Sequence, residues 1–128
     1  NINALRDWGD ARDYVEGMWK MLQKKTPKDY VLATGKSYTV KKFVEEAFNV
    51  VNVKIKWRGK GLNEVGFNSK DNKILVKINS QYFRPNEVNH LEGNASKAKK
   101  DLNWKPKISL KKMIKDMVIS DIELSQKT

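Results

Sequence analysis

The sequence predicts a mixed α/β chain with more helix than sheet. Three observations carry that expectation. Apolar residues recur at the helical i, i+3, i+4, i+7 spacing in segments near both ends and again at 40–51. A central stretch alternates apolar and basic residues in the two-residue period of a strand. The strand-like runs are few and short, so a compact independent sheet is hard to build from them. The chain therefore reads as a lobe that leans on a partner.

The first helix is expected over 11–25, where Ala11, Tyr14, Val15, Met18, Trp19 and Leu22 form one face that reads as core. Asp10 is placed to cap it, and Pro27 closes the segment. Tyr30-Val31-Leu32-Ala33 is short, apolar and β-prone and reads as a buried strand, ended by Gly35. Ser37 or Thr39 then caps a second helix with Val40, Phe43, Val44, Ala47, Phe48 and Val51 on its apolar face.

Val53, Ile55 and Trp57 alternate with Lys54, Lys56 and Arg58, the pattern of a half-buried strand. Gly59-Lys60-Gly61 turns the chain, and residues 62–79 read as a variable hairpin or loop excursion turning at 68–72. The segment 81–87 reads as a loop, because Pro85 biases Arg84 away from helical geometry. A short helix at 96–102 stops at Asn103, a residue type that tolerates the left-handed position. Ser109 caps the last helix, whose expected core face is Leu110, Met113, Ile114, Met117, Val118 and Ile122.

The chain has 128 residues, 39% hydrophobic and 32% charged, which suits one folded domain. No stretch approaches the roughly 18 apolar residues of a membrane helix, and no secretory leader is visible. With no cysteine, disulfides, cysteine-ligated zinc and thiol catalysis are excluded; with one histidine, His90, so is a multi-histidine metal centre. The composition reads as cytoplasmic. The start at Asn1, directly in a motif-dense segment, reads as a piece of something longer.

The formal charge is +11, from 26 basic and 15 acidic residues. The basic set is 22 lysines and only four arginines (Arg6, Arg12, Arg58 and Arg84), accompanied by 12 asparagines. Base-edge readout favours the arginine fork, and the lysines are dispersed along the chain. They read as solvated surface, so neither a nucleic-acid nor a membrane partner is expected. A basic nucleic-acid-binding module remains the alternative from another class.

Nucleophilic triads fail on inventory, and neither a dinucleotide-binding nor a P-loop glycine pattern occurs. Asp7, Asp10 and Asp13, and Glu45 and Glu46, read as helix-end or solvated acids. Two clusters remain: Leu5-Arg6-Asp7-Trp8-Gly9-Asp10, and Tyr82-Phe83-Arg84-Pro85-Asn86-Glu87. Each sets an arginine beside an aromatic in an expected loop. An arginine fork suits two oxygens of a phosphate, and Glu87 could accept hydrogen bonds from paired sugar hydroxyls. The plainer alternative is a surface Arg6–Asp7 pair and an aromatic-packed turn at Arg84.

The runs Asn3 to Val15, Val31 to Gly35, Ser37 to Val40, Phe43 to Glu45, Tyr82 to Val88, Gly93 to Ala98 and Leu102 to Pro106 together resemble, in order, the C-terminal part of the GDP-mannose 4,6-dehydratase family. That family belongs to the extended short-chain dehydrogenases/reductases. The resemblance implies the substrate-binding lobe of an extended Rossmann enzyme, with the last Rossmann strand and helix but without the glycine-rich half. It implies that Arg6 and Arg84 hold the nucleotide diphosphate and that Glu87 contacts the GDP ribose. The implied parent reaction converts GDP-mannose to GDP-4-dehydro-6-deoxy-D-mannose with NADP, on the way to fucose and other deoxysugars. NADP and the catalytic residues would belong to the N-terminal part, so this chain is expected to hold no catalytic or cofactor-binding residue and no metal. Other nucleotide-sugar epimerases and dehydratases of the superfamily are the nearest alternative, and a dimeric or tetrameric parent is implied. Asp10 stands where the family usually has histidine, and Asn103 where it usually has glycine.

Overall fold

The computed structural model describes residues 1–84 and 86–127. Pro85, invoked above for its effect on Arg84, lies outside the described residues. The elements run β1 (Leu5–Arg6), α1 (Ala11–Leu22), β2 (Tyr38–Thr39), α2 (Val40–Val50), β3 (Ile55–Arg58), β4 (Val65–Asn68), β5 (Ile74–Lys77), α3 (Ser96–Leu102) and α4 (Leu110–Ser125). Single 3-10 turns occur at Gly61–Asn63 and Ser80–Tyr82.

The helix boundaries follow their caps. The Asp10 carboxylate accepts from the Arg12 amide at the start of α1, Thr39 rather than Ser37 caps α2, and Ser109 caps α4. Helix α1 ends at Leu22, three residues short of the expected limit, with Gln23 as its C-cap. Asn103 closes α3 in the left-handed region, at φ 50° and ψ 39°.

The core forms where α1 meets α3. Ala98, Leu102 and Trp104 are buried, with Tyr14, Met21, Tyr30 and Leu32 packed against them. The Trp104 indole N–H donates to the Asp13 carbonyl at 2.8 Å, which satisfies the one polar atom of the largest buried side chain. The Asp13 carboxylate is buried too, and accepts from the main-chain amides of Lys107 and Ile108, each at 2.9 Å. It is an internal staple holding the entry to α4, rather than the solvated acid expected from its position.

Helices α2 and α4 pack together, with Met113 and Ile114 buried and the Trp8 ring 4.9 Å from that of Phe43. Arg12 ties α1 to α4 through Asp10 and Asp116, each at 2.8 Å. Strands β3, β4 and β5 form an antiparallel sheet in that order. The hairpin of β4 and β5 is thus completed by β3, and the Arg58 guanidinium lies 4.8 Å from the Phe67 ring centre. Arg12 and Arg58 are accounted for by these structural contacts.

Three expectations are corrected. Tyr30-Val31-Leu32-Ala33 belongs to no sheet, and Val31 is exposed. On α1 the expected core face is largely open: Val15, Met18, Trp19 and Leu22 are exposed, while Asp13 and Gly17 are buried. On α4 the expected face is buried only at Met113 and Ile114, with Met117 and Ile122 exposed. The apolar periodicity of the two helices is real, but a periodic face reports the need for a partner and not the presence of one.

Candidate functional site

The site is built on the short strand β1. Leu5 and Arg6 pair antiparallel with Thr39 and Tyr38 on one side. On the other side the Leu5 amide donates to the Asn89 carbonyl at 2.7 Å, and the Leu91 amide donates to the Leu5 carbonyl at 3.0 Å. Arg6 therefore sits on the middle strand of a small three-segment sheet, not in a loop.

The neighbouring segment carries Glu87 to Arg6. One Arg6 terminal nitrogen, Nη2, donates to Glu87 Oε1 at 2.8 Å; the other, Nη1, donates to the Leu5 carbonyl at 2.8 Å. The guanidinium is mostly sheltered. It has five N–H groups, so further donors remain without a protein acceptor among the described residues. Glu87 Oε2 lies 3.5 Å from the main-chain nitrogen of Asn1.

Arg84 is exposed, three residues before Glu87 on the same connection. Among the described residues its side chain makes no hydrogen bond or ion pair. Phe83, beside it, lines a small cavity of about 70 Å³ with Ile2, Leu62 and Ile78. The structure therefore brings Arg6 and Glu87 into contact and leaves Arg84 solvated nearby in sequence.

Asp7 was missed as an organiser, and it does not pair with Arg6. Its carboxylate accepts from the Thr34 hydroxyl, from the Thr34 amide at 3.0 Å, from the Gly35 amide at 2.9 Å and from the Gly93 amide at 3.2 Å. Burial pushes the Asp7 carboxyl up, but the Thr34 hydroxyl and the three amides together outweigh it and hold the carboxyl below its ordinary range. One anion thus fixes three chain segments around β1. The signal in the sequence was only that Asp7 adjoins Arg6; its partners lie 27, 28 and 86 residues away.

His90 is exposed, with its Nε2 2.9 Å from the Ser37 hydroxyl, which donates to Glu92 at 2.8 Å. Glu92 approaches the same ring nitrogen, at 3.6 Å, and among the described residues no carboxylate orients the imidazole from its far side.

The N-termini of α1, α2 and α4 are capped by the side chains of Asp10, Thr39 and Ser109. Among the described residues no three histidine, aspartate or glutamate side chains converge as metal ligands, and no helix is long and apolar enough to cross a membrane. The arrangement can bind an anion and hydrogen-bond a polar neighbour.

A family model described as GDP-mannose 4,6 dehydratase matches residues 1–117. A GDP-mannose 4,6 dehydratase from Drosophila melanogaster is 50% identical over 127 residues, 99% of this chain and 32% of its own length. The Dictyostelium discoideum protein of the same name is 52% identical over 123 residues, 96% of this chain and 35% of its own. The human one is 46% identical over 124 residues, 97% and 33%. The chain spans about a third of the length of the curated relatives it matches.

Among solved structures, RMD from Pseudomonas aeruginosa complexed with NADPH superposes with a TM-score of 0.71 at 17% identity, covering 98% of this chain and 35% of that one. A dTDP-glucose 4,6-dehydratase from Bacillus anthracis in complex with NAD gives 0.70 at 16% identity, covering 98% and 34%. At these identities the likeness is one of fold. The expected α/β lobe of an extended Rossmann enzyme agrees with it.

Proposed function

The chain belongs to the GDP-mannose 4,6 dehydratase family, and we propose that it carries the nucleotide-binding part of an enzyme converting GDP-mannose to GDP-4-dehydro-6-deoxy-D-mannose with NADP. In this reading Arg6 and Arg84 take the diphosphate, and Glu87 takes the ribose hydroxyls. The observation that carries it is the 2.8 Å contact of Arg6 with Glu87, which puts a phosphate-binding fork and a hydroxyl acceptor side by side across 81 residues of sequence.

The division of labour follows from the residues. Arg6 is held in place by its bonds to Glu87 and the Leu5 carbonyl, so little side-chain freedom is lost when its remaining donors meet an anion. Arg84, exposed on the connection three residues before Glu87, takes the diphosphate from the loop. Such groups position the nucleotide and neutralise its charge. They leave the hexose unread and move no proton. NADP and the acid/base groups are assigned to the part of such an enzyme that lies outside the matched third, and the 128 residues alone are expected to form no 4-keto product.

Isothermal titration of this chain with GDP, UDP, dTDP and inorganic pyrophosphate tests the reading. Arg6→Ala should weaken GDP and pyrophosphate alike by about tenfold or more, equivalent to about 1.4 kcal/mol. Glu87→Gln should weaken GDP while sparing pyrophosphate. GDP binding indifferent to both substitutions removes these residues from the site.

A further inference from the structure

Dispersed in sequence, the basic residues are not all dispersed in space, because strand pairing gathers some of them. Residues 53–79 carry seven basic side chains and two acids, Glu64 and Asp71. Both acids are engaged: Glu64 is buried against Lys41, and Asp71 accepts from the Lys73 amide at the turn between β4 and β5.

The sheet of β3, β4 and β5 has two unlike faces. On one, Ile55, Trp57 and Val76 surround Gly66, where an added Cβ would lie 3.2, 3.1 and 3.1 Å from them. That face meets α2, and the Trp57 indole N–H donates to Glu45 at 2.9 Å. The opposite face carries Lys56 and Arg58 on β3, Val65 and Phe67 on β4, and Ile74 and Lys77 on β5. Cross-strand register puts them together: Lys56 opposes Phe67 and Phe67 opposes Ile74, while Arg58 opposes Val65 and Val65 opposes Lys77. No acid stands among these six. Lys56, Arg58 and Lys77 are exposed, and among the described residues no hydrogen bond or ion pair engages their side chains. The 4.8 Å contact of Arg58 with the Phe67 ring occupies one side of the guanidinium and none of its N–H groups.

We propose that this open face of the sheet binds single-stranded nucleic acid. Lys56, Lys77 and the edge of Arg58 take phosphates, and the Arg58–Phe67 pair is the platform on which one base stacks. Charge and shape select this occupant. Cations on β3 and β5, about 10 Å apart across β4 and without local acids, complement a polyanion with closely set charges. A planar platform between them serves a base that is free to leave its neighbours, which a duplex does not offer. Arg6, Arg84 and Glu87 lie on other segments, so the two sites stand or fail separately.

Fluorescence anisotropy of this chain with labelled oligo-U and oligo-dT of about 12 nucleotides, and with a duplex of equal length, tests the assignment between about 50 and 200 mM salt. Single strands should bind more tightly than the duplex. Log affinity should fall with log salt at a slope of about −2, since each of three phosphates contributes about −0.7. Lys56→Ala combined with Lys77→Ala should weaken binding about tenfold or more and remove about two-thirds of that slope. Arg58→Lys keeps the charge and loses the plane; it should weaken single strands about fivefold or more and leave the duplex within about twofold. Lys24→Ala with Lys25→Ala removes two exposed cations just beyond α1 and should change neither.

A loss from the Lys24 and Lys25 pair equal to that from Lys56 and Lys77 would mean diffuse charge and overturns the proposal. Single strands bound no better than the duplex, or indifferent to Arg58→Lys, overturn it by removing the platform. Failure to hold either single strand at about 50 mM salt does the same. Preferential binding to phosphatidylserine vesicles, lost with the same substitutions, would make an anionic membrane the partner and reject the assignment.

Discussion

Arg6 and Glu87 stand 81 residues apart in sequence and 2.8 Å apart in space, joined by an Nη2–H···Oε1 bond across the small sheet around β1. Both side chains keep some solvent contact, so the pair sits between an open surface bridge and a buried one. A double-mutant cycle of Arg6→Ala and Glu87→Ala, followed by urea denaturation, should show a coupling of about 0.5–1 kcal/mol. A coupling indistinguishable from zero would mean the contact does not persist in solution. A much larger one would mean the pair serves stability, leaving less of Arg6 for an anion.

Asp7 gives a pH signature. Its carboxyl is held below its ordinary value of 3.8 in the folded chain, so the folded state favours the ionised form. That contribution is fully present above the unfolded pKa and disappears as pH falls through the folded one. Asp7→Asn should therefore cost about 2 kcal/mol at pH 7, given four bonds to one anion. The gap between the two proteins should narrow as pH falls below the ordinary carboxylate value and close once it has passed the lower folded one. Urea midpoints at pH 7 and at low pH measure it, and a gap that ignores pH would contradict the charge-based account.

Trp104 and Asp13 should prove the most costly positions. Trp104→Ala opens a cavity at the junction of α1 and α3 and removes the indole bond to the Asp13 carbonyl, for a loss of about 3–5 kcal/mol. Asp13→Ala leaves the Lys107 and Ile108 amides without their acceptor, for about 2–3 kcal/mol. Thermal unfolding of both variants, with Lys115→Ala on the exposed side of α4 as a control near zero, provides the comparison.

Gly93 is required by close approach. A Cβ there would lie 2.2 Å from the Ala33 Cβ, and neither atom belongs to a side chain that can rotate away. Gly93→Ala should separate the 92–94 segment from the 31–34 segment and lengthen the Gly93 bond to Asp7, at about 1–3 kcal/mol. Pairing it with Ala33→Gly should restore much of the loss, since that removes the opposing methyl. If the double variant is no better than the single one, the steric explanation is wrong.

Local chemistry was the legible part. Asp10, Thr39 and Ser109 cap helices through bonds to residues two or three positions on, and Asn103 turns left-handed within its own backbone. Such features depend on the next few residues, which the sequence displays. Asp13 and Asp7 were read as helix-end or solvated acids for the same reason. Their immediate neighbours look polar, while the amides they bind are 27 to 95 residues away. The apolar stripe of α1 was legible as a stripe, but the sequence carries no record of which stripe has its partner within these residues.

The amino-acid order alone determined the caps of α1 and α4 and the left-handed stop of α3, which side chains are apolar on each helix, and that two arginine-bearing motifs with a glutamate belong to a known dehydratase pattern. Tertiary structure alone decided that Arg6 turns to Glu87 and not to Asp7, that Asp7 and Asp13 each gather distant amides, and that 30–33 belongs to no sheet. The physical reason is one of range. Caps and periodicity are set within a turn or two of chain, whereas ion pairs, buried acceptors and sheet edges depend on segments that meet only when the chain folds.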